Sequence, residues 1–222
     1  TSNPTVTEGG DILVKASVES PVTGTDLVIT LDDGTELTIK VGDKESEEVV
    51  AKTTTRTNEE YKQGDEKVTF KIDKAEGGNF EALDTKSTTT TIVQDDKDPT
   101  IVTITSNPTV TEGGDILVKA SVGSAVTGED LVITLNDGTE LTIKVGETES
   151  AEVVAKTTTR TNEEYKQDDQ EVKFTIANTE GGNFEALDTS STTTTIVQDD
   201  KDPTKVTITA AKVTDKVITK DN

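Results

Sequence analysis

Apolar and polar residues alternate along this chain with a period of two, and no helical stripe of period 3.6 persists anywhere. The alternation marks strands at 11–18 (DILVKASV), 26–31 (DLVITL), 36–41 (ELTIKV), 48–55 (EVVAKTTT), 67–72 (KVTFKI) and 85–93 (TKSTTTTIV). Between the second and third of these, Asp32-Asp33-Gly34 is a hairpin signal, because Asp and Gly accept the backbone angles a tight turn needs. Short strands separated by regular turn clusters predict an all-β sandwich.

The pattern then repeats. Residues 1–17 recur unchanged at 105–121, 53–63 at 157–167, 77–85 at 181–189, and 87–100 at 191–204. The period is 104 residues without insertion, and about five positions in six are identical. That length suits an independently folding domain better than a solenoid unit. The expected organisation is a first domain at 1–97, a second at 98–201, and a linker with the opening strand of a third repeat at 202–222. The first copy starts within the strand equivalent to 101–105, so its initial edge segment is expected to be missing. The exposed strand after 205 is expected to be disordered or to pair with the incomplete edge of a neighbouring molecule.

Counting strand directions places the turns. If the strand ending near Val6 runs down, the turns at Glu8, Asp33 and Glu59 and the exit through Asp95-Asp96-Lys97-Asp98 all fall at the downstream pole of the first repeat. Glu112, Asp137, Glu163, Asp199, Asp200 and Asp202 fall in the same way in the second. The turns at 20–25, 42–46 and 74–83 fall at the opposite, upstream pole. Gathered carboxylates repel one another unless something compensates, and Ca²⁺, which takes six to eight oxygen ligands in flexible geometry, is a natural partner. A solvated acidic face is the competing reading, and it suits Glu47, Glu48, Glu66 and Asp73. Pro99 biases Asp98 towards an extended conformation, so neighbouring repeats are expected almost to abut.

Composition sharpens this. Only 30% of the 222 residues are hydrophobic and 3% aromatic, so each core is thin and a further stabiliser is expected. Cysteine, histidine, methionine and tryptophan are absent. Disulfides and imidazole-based triads are thereby excluded, and zinc or copper sites are disfavoured. The formal charge of −22 opposes binding to nucleic acid or anionic lipid. No apolar run approaches the roughly 18 residues of a membrane span, so direct membrane insertion of this segment is not expected.

TVTEGGDILVKASV, the GGNFEAL loop and TTTTIVQDDKDPTIVTIT together resemble the tandem immunoglobulin-like extender repeats of giant RTX adhesins of Gram-negative bacteria. The resemblance covers essentially the whole repeat. Asp95 and Asp98 match the D-x-x-D of that family's linker, with Pro99 where Thr is usual, and the Glu-Gly-Gly turn resembles the opening motif of Calx-β domains. It implies two Greek-key immunoglobulin-like sandwiches joined by a short calcium-binding linker. The implied role is a monomeric spacer segment of a long extracellular fibre, held at the outer membrane by other regions, whose partners are neighbouring repeats of its own chain.

Two other function classes compete. A module binding carbohydrate, a surface or ice would use Thr88–Thr91 and Thr192–Thr195 as a ladder, but alternate threonines on one strand face opposite ways. Tyr61 is expected to cap the core near its own turn. An enzyme would need paired acids such as Glu59 and Glu60 in a cleft, which adjacent turn residues seldom supply.

Overall fold

The computed structural model describes residues 1–53, 55–157 and 159–210, and among them it holds strands and no helix. The first repeat contributes β1 (Thr5–Thr7), β2 (Leu13–Val14), β3 (Leu27–Leu31), β4 (Glu36–Ile39), β5 (Val49–Val50), β6 (Glu66–Gly77) and β7 (Thr88–Gln94). The second contributes β8 (Pro99–Ser106), β9 (Thr109–Thr111), β10 (Leu117–Val122), β11 (Leu131–Leu135), β12 (Glu140–Ile143), β13 (Val153–Val154), β14 (Gln170–Glu180), β15 (Ala186–Asp188) and β16 (Thr192–Gln198).

Each repeat is a two-sheet sandwich. One sheet runs β1-β7-β6-β3-β4 in the first repeat and β9-β16-β14-β11-β12 in the second. The opposing sheet is β13-β10-β8-β15 in the second repeat, and the β2–β5 pair in the first. The chain crosses repeatedly between sheets, so sequence neighbours such as β12 and β13 lie in different layers. This is the Greek-key arrangement expected. β1 runs parallel to β7, with Thr5 opposite Ile92, which brings the Glu8 turn beside the chain exit.

Burial follows the alternation. In β3, Leu27, Ile29 and Leu31 face the core, and in β8, Val102 and Ile104 do. The two cores are separate and mostly aliphatic, with Phe70 at the centre of one and Phe174 and Phe184 in the other. The threonine run divides as alternation requires. Thr91 is fully buried, donating to the Asn3 carbonyl at 2.7 Å, whereas Thr88 and Thr90 are exposed.

Four elements differ from expectation, the first being the strand expected over 11–18, which shortens to Leu13–Val14 as the Ala16 and Val18 N–H groups donate to Ser46 Oγ and the Lys44 carbonyl. β6 continues to Gly77, because the backbone of its polar second half pairs with Leu27–Thr30 although no side-chain alternation marks it. The strand expected over 48–55 shortens to Val49–Val50, since the N–H groups of Lys52 and Thr53 donate to side-chain oxygens of Thr35 and Asp33 instead of to a strand. At 205–210 there is no strand, and Val206 and Ile208 are exposed; 211–222 lie outside the described residues.

The long hairpin that carries β14 turns through Gly181, whose φ of +78° suits glycine. A Cβ there would sit 2.1 Å from the Asp130 carbonyl oxygen. Phe174→Ala is expected to destabilise the second repeat by about 3–5 kcal/mol, read as a fall in the urea midpoint. Gly181→Ala should also destabilise, because it combines strain with a backbone clash, whereas Gly146→Ala should cost less, since no atom crowds that position.

Candidate cation site at the repeat junction

The downstream pole of the first repeat is knitted from the turns that strand counting placed there. Thr53 donates to Asp33, Thr55 donates to the Gly10 carbonyl at 3.2 Å, and Arg56 bridges the rest. Its Nε lies 2.6 Å from Glu8 Oε2, its Nη2 3.3 Å from Asp95 Oδ1, and its Nη1 donates to the Gly64 carbonyl. The Glu8 side chain is wholly removed from solvent. Asp95 Oδ2 accepts the Gln63 N–H at 2.8 Å, and Asp96 Oδ2 accepts from Asn58 at 2.8 Å. A buried ion pair of this sort is tolerable only because each partner is further hydrogen-bonded.

The upstream pole of the second repeat docks onto this surface. The 60–62 segment lies against 183–185, forming an isolated antiparallel bridge between Tyr61 and Phe184. Lys62 N–H donates to the Asn183 carbonyl and Glu185 N–H to the Glu60 carbonyl, both at 3.0 Å. The Tyr61 ring stacks on Phe184 with centroids 5.4 Å apart, and its hydroxyl donates to the Ala125 carbonyl at 2.7 Å. Tyr61 therefore packs against the core of the following repeat instead of capping its own. Its counterpart Tyr165 is 72% exposed.

Docking brings in a carboxylate that direction counting did not select. Glu185 Oε2 accepts the Asp98 N–H at 2.6 Å, and ligand oxygens of Glu8, Asp96 and Glu185 lie within 4.8 Å of one another. Two oxygens sharing one calcium ion at about 2.3–2.6 Å lie no more than about 5 Å apart, so the group fits a single ion. Asp96 Oδ1 and Glu185 Oε1 are buried without a hydrogen-bond partner. Burial pushes the Glu185 carboxyl above its ordinary value of 4.5; the Asp98 N–H opposes that rise, and the charges of Asp95 and Glu8 reinforce it.

The second repeat has an equivalent group of Glu112, Asp200 and Asp202. Arg160 Nε lies 3.0 Å from Glu112 Oε2, while Glu112 Oε1 and Asp200 Oδ1 are buried and unpartnered. Asp199 Oδ2 accepts the Gln167 N–H at 3.0 Å, as Asp95 does from Gln63.

Not every acid expected at this pole joins these groups. Asp33 Oδ1 accepts the Thr35 N–H, and its Oδ2 accepts from both threonine hydroxyls and the Thr53 N–H. Asp137 repeats this with Thr139 and Thr157. Their oxygens are committed to holding the turn. Glu59 and Glu163 are exposed and take hydrogen bonds from Gln63 and Gln167. Asp95 and Asp199 orient the neighbouring loop. Asp98 offers its backbone N–H to Glu185, and its side chain lies outside the close group. Glu185 was missed because only contact between repeats reveals it; the signal available was that GGNFEAL lies at the upstream pole, facing the preceding repeat.

Partial burial opposes ionisation of Asp33 and Asp137, but the hydrogen bonds from Thr35 and Thr53, and from Thr139 and Thr157, outweigh it. Both carboxyls are held below the ordinary aspartate value of 3.8. A depressed folded pKa stabilises the fold above the unfolded value, and that stability is lost as pH falls through the folded one. The double variant Asp33→Asn, Asp137→Asn is expected to lose about 1–3 kcal/mol per site at pH 7. Its melting temperature should also depend less on pH below about 4; equal pH profiles for variant and parent would contradict this assignment.

Comparison with known proteins places the chain. The profile of the LapA domain matches residues 1–96 and again 98–200. No curated protein gave a match. Among solved structures, the crystal structure of the calcium-binding domain CBD12 of CALX1.1 is similar at 15% identity, over 79% of this chain and 76% of that one, with a TM-score of 0.32. With two matches in tandem over most of its length, the chain belongs to the LapA domain family, and because LapA is a large adhesin of biofilm formation, it is an adhesin-like protein.

Proposed function

We propose that this segment is a spacer of a cell-surface adhesin, and that Ca²⁺ held at the repeat junctions sets its stiffness. Family membership supports the adhesin setting and an extracellular or cell-surface location. The observation that carries the calcium reading is the set of buried, unpartnered carboxylate oxygens on Asp96, Glu185, Glu112 and Asp200. Buried polar groups are nearly always satisfied, and charged ones more stringently than neutral ones. A hard divalent cation satisfies several at once.

The donor set selects the ion. All candidate ligands are oxygens and no His or Cys exists, so zinc and copper are disfavoured. Magnesium demands near-ideal octahedral geometry and gives up water reluctantly, whereas calcium accepts irregular oxygen shells. Glu8 and Asp96 would hold the ion from one repeat and Glu185 from the next. Such an ion ties two domains together at one point, alongside the Tyr61–Phe184 stack and the three backbone and hydroxyl hydrogen bonds nearby. Near-identical repeats then add length, which suits a part that projects a binding region away from a cell. A spacer needs no catalytic group, and this reading assigns none.

A calorimetric scan in calcium and in EDTA tests the reading. With free calcium at about 100 times the dissociation constant, each site should add about 2.7 kcal/mol, seen as a rise in melting temperature that magnesium at the same concentration does not reproduce. Identical melting in calcium and EDTA would contradict it.

A further inference from the structure

The two acidic groups share two equivalent members and differ in the third. Glu8 corresponds to Glu112, and Asp96 to Asp200. At the junction the third member is Glu185, supplied by the following repeat; at the end of the second repeat it is Asp202, the counterpart of Asp98. At the junction the Asp98 N–H donates to Glu185 at 2.6 Å and the Asp98 side chain lies outside the group.

We propose that docking of a following repeat exchanges one ligand of the cation site. The linker aspartate holds the third position in an undocked repeat, and the glutamate of the next repeat's FEAL turn displaces it. This rests on the calcium reading above and adds a mechanism by which the site senses its neighbour. The undocked site is a built one: the Glu112 side chain is wholly buried, and its Oε1 has no hydrogen-bond partner. The surface that receives the incoming repeat is also marked. Tyr165 is 72% exposed beside Asp199, Asp200 and Asp202, in the place where Tyr61 meets Phe184 at the occupied junction. The partner that fits this face is therefore another repeat of the same kind, offering an aromatic ring followed by a carboxylate. Phe80 and Glu81 form that pair on the first repeat, with Phe80 only half-buried.

The exchange makes the sites unequal. Glu185 carries its charge into a partly enclosed junction and brings a domain with it, so ion binding and docking strengthen each other by the same factor. The junction should bind calcium more tightly than the terminal site, by tenfold or more.

Calorimetric titration of the whole 222-residue chain with calcium alone tests this, with near-ultraviolet dichroism confirming that each variant is folded. The parent should show two classes of site. Glu185→Gln, which keeps an acceptor for the Asp98 N–H, should weaken the tight class at least tenfold and leave the weak class in place. Asp202→Asn should abolish the weak class alone, and Asp98→Asn should leave the tight class unchanged. Loss of tight binding in Asp98→Asn equal to that in Glu185→Gln would overturn the exchange, as would indifference of the tight class to Glu185→Gln. Absence of calcium binding by the parent would instead remove the calcium reading itself.

Discussion

The junction gathers the carboxyl groups of Glu8, Asp95, Asp96 and Glu185 into a partly enclosed space around the Arg56 guanidinium. Like charges about 4 Å apart repel by about 4 kcal/mol at an effective dielectric near 20, which is comparable to a large share of a small domain's stability. Arg56 answers for Glu8 and Asp95. Asp96 Oδ1 and Glu185 Oε1 remain without a partner, and the raised Glu185 carboxyl registers the same imbalance. On the proposed reading, a bound cation would supply the partner these oxygens lack.

Around that point the fold divides its labour. Thin aliphatic cores hold each sandwich, and Asp33 and Asp137 fasten the turns beneath the pole through threonine hydroxyls and N–H groups. Arg56 ties the Glu8 turn to the chain exit. Tyr61 then reaches across, so the joint combines the Tyr61–Phe184 stack, the backbone and hydroxyl hydrogen bonds beside it, and the carboxylate group.

Much of the architecture was legible in the sequence because period-two alternation survives in strands such as β3, β4, β8 and β11, though not in the second half of β6, and the chain repeats every 104 residues. Strand counting also put the right turns at one pole. It could not rank the acids within that pole. Asp33 and Glu8 both sit in tight turns, yet Asp33 meets Thr35 and Thr53 while Glu8 is driven into a closed space beside Arg56. That difference arises from side-chain contacts between distant segments, which leave no local signature. Glu185 was hidden for a related reason: within its own repeat it is an ordinary loop acid, and only the abutting neighbour gives it a role. Tyr61 was assigned to the wrong core by the same blindness to contacts between repeats.

The most direct measurement is a diffraction structure of this chain grown in calcium, with the scattering among Glu8, Asp96 and Glu185 examined for an ion. The account predicts a cation bound only by oxygens at about 2.3–2.6 Å, with carboxylates from both repeats among its ligands. A water molecule in that position, or carboxyl groups hydrogen-bonded directly to one another as protonated acids, would contradict it.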